Sequence, residues 1–119
     1  MNKAIKSTSG TIKYRLKDVN SDKETSIILD YNFGRNNRIK FSTGYKVLPK
    51  NWDKTNQRIR AVSYIENREK VNSDLRLYSF EFLSVISYLT ENEKQDREIL
   101  KTILEKIIRG TNEDTNIKN

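Results

Sequence analysis

The chain contains no cysteine and no histidine. Without cysteine there is no disulfide framework and no thiolate chemistry. Without histidine there is no imidazole general base, and the two absences together exclude metal sites of the usual Cys/His kind. Neither a metal nor a cofactor is expected. Glycine is scarce at four residues, and no G-x-x-x-x-G-K-[ST] or G-x-G-x-x-G occurs, so no phosphate-cradling loop is expected. No apolar run approaches the roughly 20 residues of a membrane helix. The opening M-N-K-A-I-K-S-T-S-G lacks the apolar stretch of a signal peptide, so the expectation is a cytoplasmic protein without membrane contact. Of the 119 residues only 34% are hydrophobic, which allows one domain with few apolar positions to spare.

Positive charge is what the chain has in excess, and it is unevenly placed. Lysine and arginine total 23 against 16 acidic residues, for a net charge of +7. Residues 1–70 hold 16 basic and 7 acidic residues, whereas residues 71–119 hold 7 and 9. The cationic character belongs to the first part of the chain, and such a segment suits a polyanionic partner.

That first part reads as strands. Residues 1–10 are small, polar and basic and read as a flexible arm. From Thr11 to Asp18 the pattern alternates, with Ile12, Tyr14 and Leu16 on one face and Lys13, Arg15 and Lys17 on the other. Thr25 to Phe33 alternates again, Ile27, Leu29, Tyr31 and Phe33 inward and Ile28, Asp30 and Asn32 outward. Period two with one apolar face predicts half-buried strands. Gly34-Arg35-Asn36-Asn37 predicts a hairpin turn, since these residues accept positive φ. A third strand follows from Arg38 to Ser42, with Arg38 and Lys40 outward and Ile39 and Phe41 inward; it is expected to break at Ser42-Thr43-Gly44. The chain then passes Pro49 and Trp52, its only proline and tryptophan, and Gln57-Arg58-Ile59 offers a further short strand.

The second part reads as helix. Val71, Leu75, Tyr78, Phe82, Ile86 and Leu89 recur every three or four residues, and Phe80 and Leu83 are expected to widen that apolar stripe. After a break at Asn92–Asp96, the residues Ile99, Leu100, Ile103, Leu104 and Ile107 predict a second helix, ending at Gly110 as its C-cap. The fold class is α+β: a three-stranded antiparallel meander packed on a long helix, with a second helix after it.

The outward strand positions carry the functional reading. Lys13, Arg15, Lys17, Arg38 and Lys40 share one face of the expected sheet, extended by Ser42 and by Arg35 and Asn37 of the turn. Like charges on neighbouring strands repel, and a polyphosphate partner turns that cost into affinity by counterion release. A β-ribbon fits the major groove of B-DNA, where arginine pairs with guanine and lysine with phosphate. The face has no aromatics on its outer strands, which argues against base stacking with a single strand. Asp30 departs from this pattern; it pairs with Arg15 or Lys40, or accepts a hydrogen bond from cytosine. Phe41, Gly44, Pro49 and Trp52 read as structural anchors. Glu66, Glu69 and Asp74 fall close together on the expected helix, but paired catalytic carboxylates need a pocket and shifted pKa values, and a solvated helix face explains them more simply.

The stretch F-S-T-G-Y-K-V-L-P-K-N-W-D at 41–53, after a basic hairpin and before Arg58-Ile59, is followed by Asn72 and Leu75 in an N-x-x-L pattern. Over roughly residues 11–90 this resembles the N-terminal arm-type DNA-binding domain of Bacteroides-type tyrosine recombinases, the integrases of phages and conjugative transposons. The resemblance implies a sheet inserted into the major groove of arm sites. Its expected DNA-contacting positions are Lys13, Arg15, Lys17, Arg38, Lys40 and Ser42. It also implies a non-catalytic piece of a larger enzyme: an arm at 1–10, the binding domain at 11–92, a helix at 93–109 leading toward a core-binding domain, and a disordered tail at 110–119. The partners are double-stranded DNA, the recombinase's own catalytic domains and sister protomers. The alternative is a protein-interaction or oligomerisation module using the C-terminal helices, motivated by the wide stripe Ile99, Leu100, Ile103, Leu104, Ile107 and Ile108.

Overall fold

A computed structural model describes residues 10–61 and 67–117, with side chains as far as Gly110. Strands β1 (Thr11–Leu16), β2 (Thr25–Asn32) and β3 (Arg38–Val47) form an antiparallel sheet in that order. Two-residue strands β4 (Trp52–Asp53) and β5 (Arg58–Ile59) make a separate hairpin. Helix α1 (Arg68–Ile86) and helix α2 (Arg97–Ile117) follow. The architecture is the expected α+β fold. The arm expected at the start falls almost wholly on residues 1–9, outside the described residues. Gly10 itself is seated against the sheet: its N–H donates to the Tyr31 hydroxyl at 3.0 Å, and a Cβ here would lie 2.1 Å from the Asn32 carbonyl oxygen.

Period-two alternation puts the apolar residues in rows across the sheet. Ile12, Tyr31 and Ile39 stand in one row, and Tyr14, Leu29 and Phe41 in the next. Most of these side chains are buried, with Leu29, Tyr31 and Ile39 at 1% exposure or less. Each such burial is worth about 1.5–3 kcal/mol, and none of it is available until the helices cover the face.

The third strand does not break at Ser42-Thr43-Gly44. It bulges and continues to Val47, because Ile28 pairs with Ser42 while Ser26 pairs with Lys46, leaving three residues opposite Ile27. Gly44 sits in the bulge at φ 87, where a side chain would be strained. The Thr43 hydroxyl is buried and donates to the Ile27 carbonyl at 2.8 Å, satisfying an acceptor the bulge would otherwise strand. The bulge adds two residues, an even number, so Tyr45 and Val47 still face inward.

Val71, Leu75, Tyr78, Phe82 and Ile86 of α1 are buried, as the three- and four-residue spacing predicts. Phe82 meets Tyr31 edge to face with ring centroids 4.8 Å apart, and Tyr31 stacks on Phe33 at 5.4 Å. The Tyr14 hydroxyl donates to the Leu75 carbonyl at 2.7 Å and bonds Ser79 at 3.0 Å, tying β1 to α1. Burial holds the Tyr14 phenol well above the usual range. Phe80 does not widen the buried stripe: it is 72% exposed, because the helix rests on the sheet through a narrower face than its apolar content suggests.

Between the helices, Thr90 and Glu93 satisfy each other's N–H groups reciprocally, at 2.8 and 3.2 Å. Asp96 then caps α2, its Oδ1 accepting from the N–H groups of Glu98 and Ile99. Leu100, Leu104 and Ile108 are buried in the same core as the sheet and α1. Gly110 is not a C-cap, since the helical backbone runs through it to Ile117; helix hydrogen bonding tolerates glycine at a modest propensity cost.

Candidate nucleic-acid interface

The outer face of the sheet is a grid set by strand register. Thr11, Asn32 and Arg38 form one row, Lys13, Asp30 and Lys40 the next, and Arg15, Ile28 and Ser42 the third. Alternation places these side chains opposite the core, and all the basic ones are exposed. Lys17 lies just past β1, with its N–H bonded to the Ser26 carbonyl at 2.9 Å, and extends the grid at one end. Arg35 is exposed in the β2–β3 turn and extends it at the other. Asn37 in the same turn is half-buried; its N–H donates to the Gly34 carbonyl and its carbonyl accepts from Phe33, so its backbone is spent inside the hairpin.

Asp30 occupies the centre. Its two oxygens contact Arg15 Nε and Arg38 Nε, each at 3.1 Å, from opposite diagonal corners. The Asp30 side chain is 2% exposed while those of Arg15 and Arg38 are 49% and 47% exposed, so the arginines roof the carboxylate and keep their own ends in solvent. Neither oxygen receives an aligned hydrogen bond, so the contacts are ion pairs. The pairing resolves the alternatives for Asp30: it takes Arg15 and Arg38, and its oxygens are covered against a cytosine amino group. It also lowers the cost of the crowded cations, since a buried anion sits between Lys13 and Lys40 in its own row. The grid as a whole remains cationic.

Two depressions cross this surface. One, of about 160 Å³, is lined by Thr11, Lys13, Arg15, Asp30, Asn32 and Arg38. The other, of about 520 Å³, brings Lys17, Arg15, Lys40 and Ser42 together. A third cleft, about 510 Å³, runs along the free edge of β1 and adds Lys54 to Lys13 and Arg15. Lys54 sits in the β4–β5 turn, and its place beside β1 depends on the contact that closes that edge: the Gln57 side chain accepts from the Tyr14 N–H at 2.7 Å. Nothing in the local pattern around Lys54 signals this.

The anchors lie below the grid. Phe41 is partly buried against the core, Pro49 opens a single 3₁₀ turn, and Trp52 is buried at 6% exposure. Asn72 of the N-x-x-L pattern pairs with both backbone groups of Ile59 and docks the β4–β5 hairpin on α1. Of the helix carboxylates, Asp74 is engaged by the Tyr45 hydroxyl and by Lys70, and Glu69 by Arg68. Glu66 lies outside the described residues. No group of carboxylates suited to a metal ion occurs among the described residues, and no described helix is long and apolar enough to cross a membrane.

One family model, described as an arm DNA-binding domain, matches residues 12–101. No curated protein and no solved structure matches the chain significantly.

Proposed function

This chain belongs to the arm DNA-binding domain family, and on that premise we propose that the outer face of its sheet lies in the major groove of double-stranded DNA and tethers a site-specific recombinase to arm sites. The module binds DNA and does no chemistry. The single observation that supports the groove reading is the grid itself. It is a cationic three-stranded surface, with Lys13, Arg15, Arg38 and Lys40 exposed on it and no aromatic residue at its outward positions. Lysines without an ion-pair partner serve phosphates as point charges, and the arginine forks read guanine edges. Arg35 and Asn37 of the β2–β3 turn and Ser42 at the end of the grid are further contacts in this reading.

The parent protein in this reading is a tyrosine recombinase of the Bacteroides type, an integrase of a mobile element acting in the cytoplasm on DNA integration and recombination. Residues 11–92 form the binding domain, and the helix beyond leads toward the core-binding and catalytic domains and sister protomers. The test is a titration of isotope-labelled protein with a short duplex, followed by amide NMR. Shifts concentrated at residues 12–18 and 36–46 are expected. Shifts confined to α2 would refute the proposal.

A second reading, a protein-interaction surface, draws support from α1 rather than α2. The inner stripe of α2 is used by the domain's own core, whereas Leu77 and Phe80 of α1, and Tyr88 just past its end, are exposed at 40%, 72% and 85%. A concentration-dependent dimer with no duplex affinity at low salt would favour it.

A further inference from the structure

The pairing of one buried carboxylate with two half-exposed guanidinium groups goes beyond a basic surface. An aspartate at the centre of a phosphate-attracting face relieves repulsion among the cations but lowers the attraction itself. Asp30 is nevertheless placed at the middle strand, in the middle row, and covered from both sides. Both arginines approach it through Nε, the guanidinium nitrogen nearest the chain. Each arginine side chain keeps about half of its surface in solvent, at 49% and 47%, so its end stays open to a further partner. A flexible arginine loses rotamer freedom when it binds a base edge; one already held by a buried anion loses less.

We infer that Asp30 is a positioning residue that orients Arg15 and Arg38 as a pair of base readers and so supplies sequence discrimination at the expense of raw affinity. It touches no DNA itself. The two arginines occupy the outer strands in different rows, so they address different base pairs of one groove. The inference rests on the reading of this face as the DNA surface.

The experiment is selection from a randomised duplex library at fixed salt, with sequencing of the bound pool, for the wild-type chain and for Asp30→Asn, Arg15→Lys and Arg38→Lys. Affinity for unselected duplex is measured alongside. The wild type is expected to enrich a motif. Asp30→Asn is expected to lose about fivefold to a hundredfold of that enrichment, the discrimination that one bidentate contact supplies, while its affinity for unselected duplex holds or rises. A purely electrostatic role would raise affinity for all duplexes alike and leave the motif intact, and that result overturns the inference. Should Asp30→Asn fail to fold, the lysine variants decide: lysine still pairs with Asp30 but has no fork, so each is expected to lose preference at one position, and an unchanged motif overturns the inference. A wild-type chain that binds duplex without enriching any motif overturns it too, while leaving DNA binding in place. A chain that binds no duplex overturns the underlying reading of the face.

Discussion

Asn72 holds Ile59 as a strand would: its Oδ1 accepts from the Ile59 N–H at 2.9 Å and its Nδ2 donates to the Ile59 carbonyl at 3.3 Å. A two-residue strand has too few ladder bonds to stay in place alone, and this side chain completes the pairing on the edge that faces α1. The hairpin it docks carries Trp52 into the core and Gln57 to the edge of β1. Asn72→Ala leaves a part-buried N–H and carbonyl without partners, and is expected to cost about 1–3 kcal/mol. The check is a thermal melt. Duplex affinity measured well below the transition is expected to fall no further than in Lys54→Ala, since Asn72 reaches the DNA surface only through the hairpin that carries Lys54.

Gly10→Ala is a second stability test, at the start of β1. The added methyl would sit 2.1 Å from the Asn32 carbonyl oxygen and 2.8 Å from Phe33 Cα, both backbone atoms that cannot swing away. Overpacking of this kind costs about 1–3 kcal/mol. A melting temperature equal to wild type would show that the chain does not approach β2 here.

Alkaline titration tests the tyrosine cluster between β3 and α1. The Tyr45 hydroxyl donates to Asp74 Oδ2, and burial together with that carboxylate pushes its pKa up to about 12. Tyr14, Tyr31 and Tyr78 are raised as well, each chiefly by burial. A phenol with a raised folded pKa binds its proton more tightly in the folded state. Its contribution is therefore complete below the unfolded value of about 10 and is lost as pH rises from there through the folded value. Stability is expected to hold through neutral pH and fall steeply above about pH 10. Tyr45→Phe removes one of these titrations and is expected to flatten the fall while costing about 0.5–1.5 kcal/mol at pH 7 through the lost hydrogen bond. An identical alkaline slope in Tyr45→Phe would refute the assignment.

Salt dependence tests the lysines. Lys13→Ala, Lys40→Ala and Lys54→Ala are each expected to weaken binding to every duplex alike and to reduce the slope of log K against log salt by about one. Lys54 is the informative member, because only its place in the cleft beside Lys13 and Arg15 recommends it. An unchanged slope in Lys54→Ala would put the edge of β1 outside the footprint.

Much of the fold was legible from one chain. Period-two alternation in T-I-K-Y-R-L and R-I-K-F sorts cations from core with no knowledge of partners, and the three- and four-residue spacing from Val71 to Ile86 sorts α1 in the same way. Phe80 escaped that logic because apolar identity does not say which of two apolar flanks a neighbour will cover. The Gly44 bulge escaped it because glycine marks a bend, and only pairing shows whether the strand resumes. Gly110 escaped it because a glycine after an apolar stripe is compatible both with a cap and with a helix that goes on.

Side-chain direction along each strand follows from the backbone pleat, so the sequence alone determined that Lys13, Arg15, Arg38, Lys40 and Asp30 share a surface. Which of them touch is a matter of register between strands, and register is decided by the bulge, the turns and the packed core together. Only the tertiary structure could therefore place Asp30 between Arg15 and Arg38, bring Lys54 beside β1, and give Asn72 a strand to hold.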